Sequence, residues 1–180
     1  INFYLNNKYL SNLSINVLGF TKPSFDLPSN VNFIELKNGA KRDMSTWFLD
    51  IYNYLKDIDD EYILFTTDDQ PVIRPIDNEA LKFALDYIKN NKIALCYGIF
   101  CGGGTSNKLL FENEFYRINE VNEKYGHKTN LQLNIWNKNV LLEILKHNKN
   151  NIASFECNSY KLLQNSQYRD YKIINFTKKN

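Results

Sequence analysis

Four short apolar runs without helical period constrain the chain most: residues 14–20, 31–36, 62–65 and 93–97. Runs this short, rich in Ile, Leu and aromatic residues, are strands rather than helices. Two stretches of the other period lie among them. In residues 45–58, Trp47, Ile51, Leu55 and Ile58 recur at i, i+4, i+8 and i+11, the stripe of an amphipathic helix. Asp43 or Ser45 stands where a helix cap is expected. Residues 78–90 place Leu81, Ala84, Leu85 and Ile88 on one face of a second helix. Strands alternating with such helices predict an α/β fold: a mixed, mainly parallel sheet flanked by helices. A chain of 180 residues is one domain by length.

The rest of the pattern is less regular. Residues 2–13 show a loose helical spacing, and 21–30, with Pro23 and Pro28, are a loop. Residues 109–118 fit strand or helix equally well, and 125–130 are polar loop. Residues 131–136 alternate cleanly, with Gln132, Asn134 and Trp136 on one face. A helix over 139–147, a helical turn or two over 158–164 and a closing strand over 171–176 complete the reading.

Bulk properties narrow the functional classes. The composition, 43% hydrophobic and 23% charged, is that of a folded chain. A net charge of +2 argues against nucleic-acid binding driven by bulk charge. No apolar stretch is long enough to cross a bilayer. Cys96, Cys101 and Cys157 form no CxxC pair, which points to reduced thiols and a cytoplasmic setting. The chain opens on Ile1, in what reads as the middle of an element, so a first strand is expected to be missing.

The chemistry concentrates after Phe65. There the apolar run ends in Thr66 and Thr67, then Asp68, Asp69 and Gln70. Carboxylates at the carboxyl end of a strand sit where open α/β sheets bind ligands. Adjacent carboxylates repel and are relieved by a cation. Oxygen donors suit Mg²⁺ or Mn²⁺. The competing reading is an exposed acidic turn. Other motifs carry less. Gly102, Gly103 and Gly104 lack the Gly-Lys-Ser/Thr ending of a phosphate loop. His127 and His147 are isolated, and His147 suits a helix C-terminus. Trp47 belongs to an apolar stripe and reads as core.

The order of these features resembles the nucleotide-sugar half of GT-A fold glycosyltransferases. The resemblance rests on a strand–loop–strand start, then Lys41-Arg42-Asp43-Met44-Ser45-Thr46-Trp47 opening a helix, then a strand ending in Asp68-Asp69. Downstream, Gln132-Leu133-Asn134-Ile135-Trp136-Asn137-Lys138 before a helix, then Phe155-Glu156, is similar to the acceptor half. The likeness runs from about residue 14 to about residue 160. It implies that Asp69 and Asp68 hold a divalent metal, Mn²⁺ or Mg²⁺, on the diphosphate of a nucleotide-sugar donor. Lys41, Arg42, Asp68 and Gln70 would contact that donor, and Gln132, Asn134 and Trp136 a glycan or other hydroxyl-bearing acceptor. Glu156 would be the base if the enzyme inverts. The motif reads Asp-Asp-Gln where the family has Asp-x-Asp, which shifts the load to Asp69. Two other readings stand beside this one: a non-catalytic nucleotide- or glycan-binding module, and a metal-dependent nucleotidyltransferase.

Overall fold

The computed structural model describes residues 14–36, 44–67, 77–98, 106–121, 129, 131, 133–148 and 152–179; side chains of 44–46, 106–107 and 152–153 are not among them. The expectations at residues 2–13, Asp43 and Gly102–Gly104 lie outside these residues, and so does the side chain of Ser45.

The chain begins with two parallel strands, β1 (Ile15–Gly19) and β2 (Val31–Glu35). The loop between them returns through Pro28, whose carbonyl accepts from Val31 N–H at 2.9 Å. Gly19 lies close to β2: a Cβ on it would meet Phe33 Cζ at 2.9 Å, so any side chain there would have to displace the Phe33 ring. Helix α1 (Met44–Leu55) follows. Its buried stripe is Phe48, Ile51 and Leu55, one residue round from the expected stripe at its start. Trp47 lies against Phe48 at a 5.0 Å centroid distance and is only partly buried. The helix stops at Leu55, so Ile58 lies outside it, its N–H bonded to the Leu55 carbonyl at 3.2 Å. Asp57, Asp59 and Asp60 gather just past this end, where negative charge opposes the helix dipole.

Next come β3 (Tyr62–Phe65), α2 (Asn78–Lys89) and β4 (Ile93–Tyr97). Asp77 caps α2, accepting from Ala80 N–H at 3.0 Å. All five residues of β4 are buried. The ambiguous 109–118 segment is a hairpin, β5 (Ser106–Glu112) and β6 (Tyr116–Val121). Asn113 makes its turn, its Oδ1 accepting from Phe115 N–H at 2.9 Å and Tyr116 N–H at 2.7 Å. The last elements are β7 (Asn134–Asn137), α3 (Lys138–His147), α4 (Ile152–Gln164) and β8 (Lys172–Lys178). Asn137 ends β7 and caps α3 at once, accepting from Val140 N–H at 3.2 Å.

Six strands form one sheet in the order β3-β7-β4-β8-β6-β5. Only β4–β8 is a parallel pair; the other four junctions are antiparallel. The fold is mixed α/β, but the expectation of a mainly parallel sheet is corrected. Strands β3 and β4 do point the same way, as strand–helix–strand alternation requires, since both run antiparallel to β7. They are not neighbours, because β7 lies between them. Strand β3 also stands at one end of the order and is half-exposed. The buried centre belongs to β4.

Each face of the sheet has its own core. Trp136, Leu95 and Ile173 join Phe48, Val140, Leu141 and Phe155 beneath α1, α3 and α4. Ile135, Cys96, Ile118 and Ile174 join Ala80, Ala84 and Ile88 beneath α2. Leu18 of β1 packs on the first core.

Candidate functional site at the carboxyl end of β3

Strand β3 delivers Thr66 and Thr67 to the edge of the sheet, both half-buried, the Thr66 hydroxyl donating to the Thr67 carbonyl at 3.2 Å. Asp68, Asp69 and Gln70 come next in the chain and lie outside the described residues, as do Lys41, Arg42, Gln132, Cys101 and His127. Phe65, the last residue of β3, pairs with Asn134, the first of β7. The amino end of β7 and the carboxyl end of β3 are therefore one place.

Asn134 and Trp136 share a face of β7, as their spacing predicts, but that face turns inward. Asn134 is 1% exposed and Trp136 0%. The Trp136 ring meets Phe155 edge-on at 6.1 Å, and Phe155 in turn stacks on Phe48 at 5.4 Å and 12°. No face of Trp136 is open to a sugar, so its expected role as a stacking platform is corrected: it is a core residue. Its indole Nε1 has no hydrogen-bond partner among the described residues.

Glu156 lies within α4 rather than ahead of a helix at 158–164, because the helix begins at Ile152. Phe155 anchors that turn in the core, and the Ser159 hydroxyl donates back to the Phe155 carbonyl. On the next residue, the Glu156 carbonyl accepts from the hydroxyl of Thr129 at 3.2 Å. Thr129 is fully buried and precedes Asn134 by five residues. This bond ties the Glu156 turn to the chain that enters β7. The Glu156 side chain is half-buried.

The described donors at the strand end are hydroxyls and amides of Thr66, Thr67 and Asn134. They are hard oxygen donors of the kind Mg²⁺ and Mn²⁺ accept, and the carboxylates that would hold such an ion are Asp68 and Asp69. Among the described residues, no three His, Cys, Asp or Glu side chains gather as a metal site. Cys96 is buried, and burial pushes its thiol pKa well up, so it is no nucleophile.

Sequence reasoning passed over Thr129, Tyr97 and Asn175. Asn175 did carry a signal, as the one amide inside the apolar run from Ile173 to Phe176. Among the described residues no helix is long and apolar enough to cross a membrane. Comparison with known proteins finds no matching family model, no matching curated protein and no matching solved structure.

Proposed function

We propose that the chain is a glycosyltransferase with a GT-A-like arrangement, moving a sugar from a nucleotide-diphosphate donor to an acceptor hydroxyl. One observation carries the reading. The strand that leads into Asp68 and Asp69 ends against the amino end of β7, and the Glu156 turn is bonded to the segment entering that same strand. A bound Mn²⁺ or Mg²⁺ would neutralise charge on the leaving diphosphate.

The chain's own residues divide the remaining work. Asp69, with Asp68, would hold the ion; Lys41, Arg42 and Gln70 would contact the donor, and Gln132 the acceptor. In an inverting displacement the acceptor oxygen bonds to the anomeric carbon as the bond from that carbon to the diphosphate oxygen breaks. Glu156 takes the acceptor's proton. A positioned base of this kind contributes about 10²–10⁴-fold in rate. Cys96 and Cys157, both free thiols, fit the reducing cytoplasm.

The test is a thermal-shift screen of uridine and guanosine diphosphates, with and without Mn²⁺. Metal-dependent stabilisation by either is expected, and stabilisation by neither sinks the proposal. Asp69→Ala should abolish that shift. Glu156→Gln should keep it and lower turnover by about 10²–10⁴-fold; unchanged turnover removes Glu156 as the base.

A further inference from the structure

Side chains that share one face of a sheet fall into rows that cross the strands. On the face beneath α1, α3 and α4, one row runs Ile63, Trp136, Leu95 and Ile173, a register that pairs Ile63 with Trp136, Trp136 with Leu95 and Leu95 with Ile173. All four belong to the same apolar core. Two residues further along every strand, the chemistry changes. Phe65 pairs with Asn134, Tyr97 pairs with Asn175, and Asn175 pairs with Asn119. Three amides and a phenol replace the hydrocarbon row at the end where β3 releases Thr66 and Thr67.

Three of these groups are buried, Asn134 at 1% exposed, Tyr97 at 5% and Asn175 at 5%, and Asn119 is half-buried. Burying an amide costs free energy that only hydrogen bonding offsets, so an apolar row would be the simpler way to fill this position. The row also lies close against the backbone beside it. Gly98, which follows Tyr97 out of β4, has φ +87°, in the left-handed region that favours glycine. A Cβ there would lie 2.1 Å from the Phe176 carbonyl oxygen and 2.5 Å from Asn175 Oδ1. The Asn175 side chain thus packs directly on the turn that leaves β4, while Asn134 pairs with the residue from which β3 leaves.

We infer that the row Asn134–Tyr97–Asn175–Asn119 is a set of positioning residues: it holds Gly98 at the outlet of β4, and Thr66 and Thr67 at the outlet of β3, the two residues that precede Asp68 and Asp69 in the chain. The inference rests on the glycosyltransferase reading for what Asp68 and Asp69 bind, a metal–nucleotide diphosphate. It also moves Asn134 from direct acceptor contact to support from beneath.

The experiment pairs two readouts on the full chain and on Asn134→Leu, Asn175→Ala and the milder Asn119→Ala, whose site is only half-buried. Hydrogen exchange at the Thr66, Thr67 and Gly98 amides reads positioning. Binding of Mn²⁺ with uridine or guanosine diphosphate, followed by the Mn²⁺ paramagnetic resonance signal, reads function. The expected result is tenfold or faster exchange at those three amides, with exchange in α2 unchanged, and at least a tenfold loss of affinity. Asn32→Ala, in the exposed amide pair Asn16–Asn32 of β1 and β2, should change neither. Unchanged exchange at the outlets overturns the inference, and so does altered exchange with unaltered affinity. If the wild-type chain binds no Mn²⁺–nucleotide, the functional reading fails, and exchange alone then decides whether the row positions the outlets. Should Asn134→Leu and Asn175→Ala not fold, Asn119→Ala decides both readouts.

Discussion

The two faces of the six-stranded sheet are built to different ends. Beneath α2 the filling is apolar and aromatic: Phe83 stacks on Tyr116 at 4.7 Å, and Tyr116 and Phe176 meet at 5.3 Å. Beneath α1, α3 and α4 the filling is as dense in its middle, where Phe48, Phe155 and Trp136 touch. Toward the carboxyl end of β3, however, it gives way to buried amides. A face kept wholly apolar maximises burial; one that gives a row to polar groups must satisfy them with hydrogen bonds. On the glycosyltransferase reading, the second face carries the chemistry and the first supports it.

The largest effects should separate the faces by function, not by stability. Phe155 and Phe176 are 0% and 2% exposed and lie on opposite faces. Each changed to Ala should lose about 3–5 kcal/mol by urea denaturation, the range for a buried aromatic. Below the unfolding transition, only Phe155→Ala should disturb the Mn²⁺-dependent nucleotide response, because only Phe155 anchors the Glu156 turn. Equal disturbance by Phe176→Ala would erase the distinction between the faces.

A smaller effect tests how the α2 face is fastened. Asp77 caps α2 and also bonds Lys178 at the far end of β8. Asp77→Ala should cost about 1 kcal/mol, the usual loss of a cap, since the ion pair is exposed and adds little in water. The pH dependence has a definite sign. The Lys178 bond, then the Ala80 N–H, hold the Asp77 carboxyl below its ordinary value. Its contribution is present above the unfolded aspartate pKa, near ~4, and is lost as pH falls through the lower folded value. For Lys178, bonding to Asp77 raises the pKa, so its share persists through neutral pH and fades only as pH rises past that raised value. The difference in Tm between wild type and Asp77→Ala should therefore be flat from pH 6 to 9 and shrink below pH 4. A difference that survives at pH 2 would mean the cap acts without its charge.

Local signals accounted for the elements; partners accounted for what went wrong. Strand β4 was legible because five apolar residues leave few alternatives. The hairpin at β5–β6 was legible in principle from Asn113, whose side chain closes the turn. Strand direction was not, because it depends on which strand enters next, and β7 enters between β3 and β4 from far downstream. The same limit applies to the site. Asn134 and Trp136 were rightly placed on one face, but alternation does not say which face is covered. Only α4, through Phe155, decides that. In α1 the period was right, yet Phe48 and not Trp47 took the centre, since Phe155 stacks on it. Asp68 and Asp69 stand out in sequence by their place after an apolar strand, while the polar row at the carboxyl end of β3 needed the register of four strands to be seen.

The smallest expected effect concerns a group on the face beneath α1, α3 and α4 that opposes stability. Asp50, in α1, carries an oxygen, Oδ2, that is buried and without a hydrogen-bond partner among the described residues. It lines an open cleft of about 610 Å³ with Glu35, Asn53 and Tyr54. Burial raises its carboxyl pKa. A carboxyl raised in this way is most favourable below the unfolded aspartate value, and that advantage is lost as pH rises through the folded value. At neutral pH its charge is therefore a cost. Asp50→Asn keeps the shape and removes the charge, so Tm should rise slightly at pH 7, and the gain should vanish at pH 3, where the wild-type group is protonated. A gain of equal size at both values would show that the amide finds a new partner and that charge is not the reason. A loss at pH 7 would mean that the charged carboxylate is held by a cation in the cleft. Asp50 would then be a place where this face gives up stability to hold a ligand.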